Sequence, residues 1–156
     1  MEATGIVARG RRVSSLQIAR WTTAAWGLLH VVGGALIMLY ALTDGPRAAL
    51  EDLGSATPDG NIPAEPGSVV EGVIAFHGLN IVWFGLAVLV LLWRRDRGSL
   101  RDALFVMAAA DIGLLLFLVG PGYMRLGDGI WGPALLLIAA AAFVRSRRDE
   151  VQAGVK

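Results

Sequence analysis

At 156 residues the chain has the length of one soluble domain, but 55% of its residues are hydrophobic, only 17% are charged and its mean hydropathy is +0.59, the profile of a polytopic membrane protein. It has no cysteine, which excludes disulfides, thiol nucleophiles and thiolate metal sites, and its two histidines would need carboxylates beside them to hold zinc. The net charge of +1 conceals a segregation: basic residues lie in short runs beside apolar stretches, where they read as topology signals and not as a nucleic-acid footprint.

Residues 1–20 are polar and basic, with Arg9, Arg11, Arg12 and Arg20, and read as a cytoplasmic N-terminal segment. Trp21–Thr43 carries no formal charge over 23 residues. That exceeds the roughly 20 a span needs and is too long for a signal-peptide core, so it is the first span, 21–43. Thr43-Asp44-Gly45-Pro46 ends it. A loop follows over 44–68, with five acids (Asp44, Glu51, Asp52, Asp59, Glu65) and one base, Arg47; 46–53 has room for one or two helical turns, and 58–67 reads as irregular. Ser68-Val69-Val70-Glu71 is a capping box opening the second span, 69–93, which stops at Arg94-Arg95-Asp96-Arg97. Ser99-Leu100-Arg101-Asp102 reads as a second box opening the third span, 103–119, which Gly120-Pro121-Gly122 terminates. The fourth, 129–144, is short: residues 130–144 make about 22 Å of helix, with room for the helix to begin nearer Met124. It carries no ionisable residue, and its Ala139–Ala142 run suits tight packing. Arg145, Arg147 and Arg148 close it, and 145–156 reads as a disordered cytoplasmic tail.

Twelve of the fourteen Lys and Arg residues fall in the N-terminal segment, the second loop and the C-terminal segment; Arg47 and Arg125 are the exceptions. The positive-inside rule then puts both termini in the cytoplasm and the 44–68 loop outside a cytoplasmic (inner) membrane. Trp21, Tyr40, Trp93, Tyr123 and Trp131 fall near span ends, as interfacial aromatics do. The expected architecture is an all-α integral membrane protein, a four-helix transmembrane bundle with N-in/C-in topology and one long extracytoplasmic loop between helices 1 and 2.

Four polar groups interrupt the apolar spans. At 1.5 Å per residue, His30 lies about 15 Å beyond Arg20 and Asp111 about 15 Å beyond Arg101, both at the bilayer midplane; Asn80 lies about 21 Å and His77 about 25 Å from Arg94. The groups climb toward the outer side, so a site built from them opens outward. Gly27, His30 and Gly34 share a smooth face of the first span. His77, Asn80 and Phe84 share one on the second, with Gly85 beside it, and Met107, Asp111 and Leu114 one on the third. A mid-membrane carboxylate is functional by default, so Asp111 and His30 are the candidate catalytic pair, the carboxylate orienting the imidazole for acid–base work. The plain alternatives are helix-gluing for Asp111 and a neutral imidazole donating to a backbone carbonyl for His30. His77, Asn80, Phe84 and Trp26 are the candidate substrate-binding residues. Glu71 and Asp128 read as helix starts and Arg125 as an interface residue. The roughly 10 Å difference in depth between the histidines argues against haem ligated by both and against a metal held with Asp111, so no cofactor or metal is expected, and no phosphate loop or nucleophile elbow is present.

Three functions fit this pattern. The first is a small integral-membrane enzyme acting on a lipophilic small molecule by proton-transfer chemistry such as isomerisation, cyclisation or hydration. The second is a proton-coupled transport component, which would want polar groups reaching the inner face as well. The third is a non-catalytic structural subunit. The enzyme reading leads; its partners are the lipid bilayer and a lipophilic molecule, with no nucleic acid, and a homo-oligomer is compatible with it.

Overall fold

The computed structural model describes residues 14–44, 68–121, 124 and 126–154. The readings for loop 44–68, for the side chains of the Ser68–Glu71 box, and for Tyr123, Arg125 and Asp128 lie outside the described residues. The elements are α1 (Ser15–Thr43), α2 (Ser68–Trp93), α3 (Arg97–Leu114) prolonged by a π-helical turn (Leu115–Val119), α4 (Leu126–Gly129) and α5 (Trp131–Gly154); among the described residues there is no strand. Three segments are long and apolar enough to cross a bilayer: Ser15–Thr43, Val73–Trp93 and Arg97–Val119. The fourth long helix, α5, is not one of them. Its apolar part, 131–144, makes about 21 Å. The protein is thus an all-helical chain of membrane type, consistent with a multi-pass membrane protein.

The helix starts depart from the expected ones for local reasons. α1 begins at a capping box upstream of Trp21: Gln17 N–H donates to Ser14 Oγ at 3.2 Å, and Ser14 N–H to Gln17 Oε1 at 3.0 Å. α3 is capped by Asp96, not by the expected Ser99 box. Asp96 accepts from Ser99 N–H at 2.7 Å and from the Ser99 hydroxyl at 2.6 Å, so Ser99 serves as a donor one turn into the helix. These two bonds, the hydroxyl first, hold the Asp96 carboxyl below its ordinary value of 3.8. A depressed folded value means that the stabilisation is complete above the ordinary carboxylate range and is lost as pH falls through the folded value. The difference in thermal midpoint between the wild type and Asp96→Ala should therefore be flat at neutral pH and shrink only below about pH 4. A difference that instead changed across pH 6–8 would show that another group is being read.

The fourth helical segment also differs from expectation. It breaks at Ile130, separating α4 from α5, and α5 then continues through Gly154 where a disordered tail was expected. Pro133 is accommodated in the first turn, where its missing N–H costs nothing. The polar extension has partners: Arg97 pairs with Glu150, and the Ser15 hydroxyl donates to Asp149 at 3.1 Å. Both contacts are solvent-exposed, so each contributes modestly.

These contacts bring the start of α1, the α2–α3 turn and the end of α5 to one end of the bundle. The Arg20 guanidinium donates to the Arg95 carbonyl there. Arg95 itself adopts φ 56°, the left-handed conformation that reverses the chain within the tight turn. Arg20, Arg94, Arg95, Arg97, Arg145, Arg147 and Arg148, the described members of the basic clusters on these segments, thus lie toward one end.

α1 is the hub, packing most extensively on α2 and next on α5. The α1–α2 contact is backbone on backbone at two places, Gly27 against Gly85 and Gly34 against Gly78, seven residues apart on each antiparallel helix. A Cβ placed on Gly34 would lie 2.5 Å from the Gly78 carbonyl oxygen, and one on Gly78 2.7 Å from that of Gly34. The core under this seam is Trp26, Val88, Ala103, Met107 and Ala139, with Ile37, Ala41 and Ile74 forming a second cluster toward the other end.

Candidate functional site

Asp111 is the most buried charged residue described, 1% exposed. α3 delivers it to the middle of the bundle, where Trp26 of α1 meets it: the indole Nε1–H donates to both carboxyl oxygens, at 3.2 and 3.1 Å. α5 closes the third side. A Cβ on Gly132 would fall 2.5 Å from Asp111 Oδ1, so only glycine lets the first turn of α5 come this near. That turn presents the positive end of its dipole to the carboxyl group. Asp111 thus ties together three helices.

The expected His30–Asp111 pair is not formed. His30 lies one turn further along α1, stacked on the Trp26 indole with ring centroids 3.5 Å apart and planes 19° apart. Its Nδ1 lies 2.9 Å from the Trp26 carbonyl oxygen. A carbonyl can only accept, so Nδ1 carries the proton and Nε2 is the nitrogen left with a lone pair. Equal depth placed the imidazole and the carboxyl at one height; the indole occupies the space between them. Trp26 is wholly buried, a support for both groups, and is not among the residues lining the two cavities described next.

His30 does line cavities. One, of about 350 Å³, is a cleft walled by His30 of α1, by His77, Ile81 and Phe84 of α2, and by Ala109, Gly113, Leu114 and Phe117 among residues of α3 and its π-turn. A second, of about 180 Å³, lies on the other side of His30 and Leu114, toward Met124, Gly129 and Trp131. Both occupy the half of the bundle remote from the basic end, the half in which the polar column was expected. The larger cleft is apolar except for its two imidazoles. His77, one of its lining residues, is exposed.

Asn80 departs further. It does not line the cleft, and no described residue hydrogen-bonds its side chain. The cause is the glycine seam: α2 turns Gly78 and Gly85 toward α1, and a residue two positions after Gly78 lies about 200° round the helix from it, where Asn80 is half-buried. The reading from sequence also missed Ala109, Gly113 and Phe117. Their i, i+4, i+8 spacing, two small residues and then an aromatic, was the available signal for a hollow strip on α3. Among the described residues no three metal-ligating side chains gather. The Thr23 hydroxyl, buried three residues before Trp26, has no hydrogen-bond partner among the described residues.

Compared with known proteins, the chain matches no family model, no curated protein and no solved structure.

Proposed function

We propose that this chain is a small integral-membrane enzyme that admits a lipophilic molecule from the bilayer into the α1–α2–α3 cleft and rearranges it by proton transfer at His30. The observation that carries the reading is an imidazole whose Nδ1–H is fixed on a backbone carbonyl while the ring lines an apolar cleft. Such a ring offers its second nitrogen as a base to whatever enters. The apolar walls suit a hydrocarbon guest, and the exposed His77 among them is a second group able to give or take a proton. Isomerisation is the simplest chemistry of this kind: a proton leaves one carbon and another is returned elsewhere, with no oxidant and no second substrate. Asp111 acts through Trp26 as a positioning residue, since the indole it anchors supports the imidazole. In this reading both termini are cytoplasmic and the acidic 44–68 segment is extracytoplasmic.

The test uses the full chain in liposomes made from a total membrane-lipid extract, in heavy water. The wild type should place deuterium on carbon in a lipophilic species, detected by mass spectrometry, and His30→Gln should reduce this by about 10²–10⁴-fold. Gly113→Leu should abolish it as well by filling the cleft. Nothing lies within 4 Å of a Cβ at Gly113, so that side chain enters open space and the fold should persist. If His30→Gln exchanges as fast as the wild type, the reading is wrong. If the wild type itself exchanges nothing, the cleft binds without chemistry.

A further inference from the structure

The void of about 350 Å³ beside α2 and the void of about 180 Å³ beside α5 share two lining residues, His30 and Leu114, so they meet at the imidazole. They can meet there because α1 and α3 touch each other sparsely, α1 being held by α2 and α5. Each void also carries one glycine that helix packing does not explain. Gly33 lines the smaller and Gly113 the larger. A Cβ on either would meet nothing within 4 Å, whereas one on Gly27, Gly34, Gly78 or Gly85 would strike the facing helix. Glycine weakens a helix, so at these two positions the missing side chain serves the void. A third feature lies at the junction. The π-helical turn Leu115–Val119 begins directly after Leu114, and the Gly120 N–H donates to the Leu115 carbonyl at 2.7 Å. Four residues of α-helix advance by more than one full turn. The wider π-turn takes up that excess, so Phe117 and Leu118 stay in line with Gly113 and Leu114 along the larger void.

At about 30 Å³ per non-hydrogen atom, the share of one water in the liquid, the voids hold about 12 and about 6 such atoms. Resting on the reading of the cleft as the substrate site, we infer that one elongated lipophilic chain of roughly eighteen non-hydrogen atoms fills both voids, with its reacting carbon inside the chain at His30. A short arm runs past the imidazole toward Trp131, and a longer one toward Phe117. Gly33 and Gly113 are specificity-determining residues, since a side chain at either would shorten the arm beside it. A short-chain molecule leaves one void unfilled and forgoes its packing contacts.

Occupancy can be read without turnover. Alkane probes with one diazirine next to a chain end are equilibrated with the full chain in phosphatidylcholine vesicles, photolysed, and mapped by peptide mass spectrometry. The octadecane probe should label Ile37 and Met124 in the smaller void and Ala110 and Leu118 in the larger, positions that are buried or half-buried and so shielded from free lipid. Unlabelled octadecane should compete at both sets with a single midpoint. It should do so about tenfold more tightly than dodecane, a gain from packing contacts alone in a medium as apolar as the voids. Gly33→Leu should abolish that preference for length while dodecane-probe labelling of Ala110 and Leu118 persists, which also shows that the variant is folded. Separate midpoints for the two voids in the wild type overturn the inference, and that comparison needs no variant. So does a wild type without saturable labelling in both voids, or a Gly33→Leu protein that still prefers octadecane. Deuterium exchange is read apart from this. Labelling of both voids with no deuterium incorporated upholds the site and removes the enzyme reading, whereas deuterium on a terminal carbon overturns the internal placement of the reacting carbon.

Discussion

Trp26→Ala should be among the most damaging single substitutions in this chain. It empties a wholly buried indole site in the main core, and such truncations cost about 3–5 kcal/mol. In a bilayer the value falls toward the lower end, because lipid tails are as apolar as the core and only packing is lost. A second loss adds to it: Asp111 is left without the N–H that contacts both of its oxygens, worth about 1–3 kcal/mol for an orphaned buried group. Against a total stability of roughly 5–15 kcal/mol, the variant should be largely unfolded under conditions that leave the wild type intact. Trp26→Phe separates the two losses. It keeps most of the ring but not the N–H, so it should show mainly the second. Asp111→Asn retains an acceptor for the indole and should remain near the wild type in stability. The measurement is unfolding in one detergent, followed by circular dichroism. A neutral Trp26→Phe would mean that the indole–carboxyl contact contributes nothing, and the positioning role given to Asp111 would go with it.

How far the sequence anticipated these contacts depends on the kind of information each one needed. Spans and basic ends follow from composition along the chain, and the three apolar segments came out where hydropathy put them. Helix termini follow from a few local bonds. The Ser14–Gln17 box is legible as a pattern, but it lies upstream of Trp21, where the charge-free stretch begins. The Asp96 cap was obscured because Ser99, three residues later, looked like a cap itself. The site was harder, because it depends on azimuth as well as depth. Rise per residue placed His30 and Asp111 at one height, yet a tilt of one turn is enough to hand the carboxyl group to Trp26. The orientation of α2 was recoverable in principle: Gly27 and Gly34 on one helix and Gly78 and Gly85 on the next have the same seven-residue spacing. Pairing them turns Asn80 away from α1. Gly132 gave no signal in the sequence, because its reason for being glycine is a carboxyl group 21 positions earlier on another helix.

The glycine seam supports the sharpest comparison, since two adjacent glycines of α1 should respond in opposite directions. A Cβ at Gly33 meets nothing within 4 Å, whereas one at Gly34 meets the Gly78 carbonyl oxygen at 2.5 Å and the Val82 amide nitrogen at 2.8 Å. Gly33→Ala should be neutral or stabilising by up to about 1 kcal/mol, the helix-propensity difference between the two residues. Gly34→Ala gains the same propensity but forces two backbones apart. The obstructing atoms are main chain and cannot rotate away, so the overpacking cost of about 1–3 kcal/mol should be reached or exceeded. Gly78→Ala should behave alike, and the double variant should fall short of the sum, because once the helices have separated the second methyl finds room. The separation also reaches the cleft, since the seam fixes the rotation of α2 that turns His77 and Phe84 toward α3. Deuterium incorporation should therefore fall in Gly34→Ala even under conditions where the protein remains folded, and should persist in Gly33→Ala. Equal unfolding midpoints for the two variants would show that α1 and α2 are not in backbone contact, and the placement of every α2 residue argued from that contact would have to be abandoned.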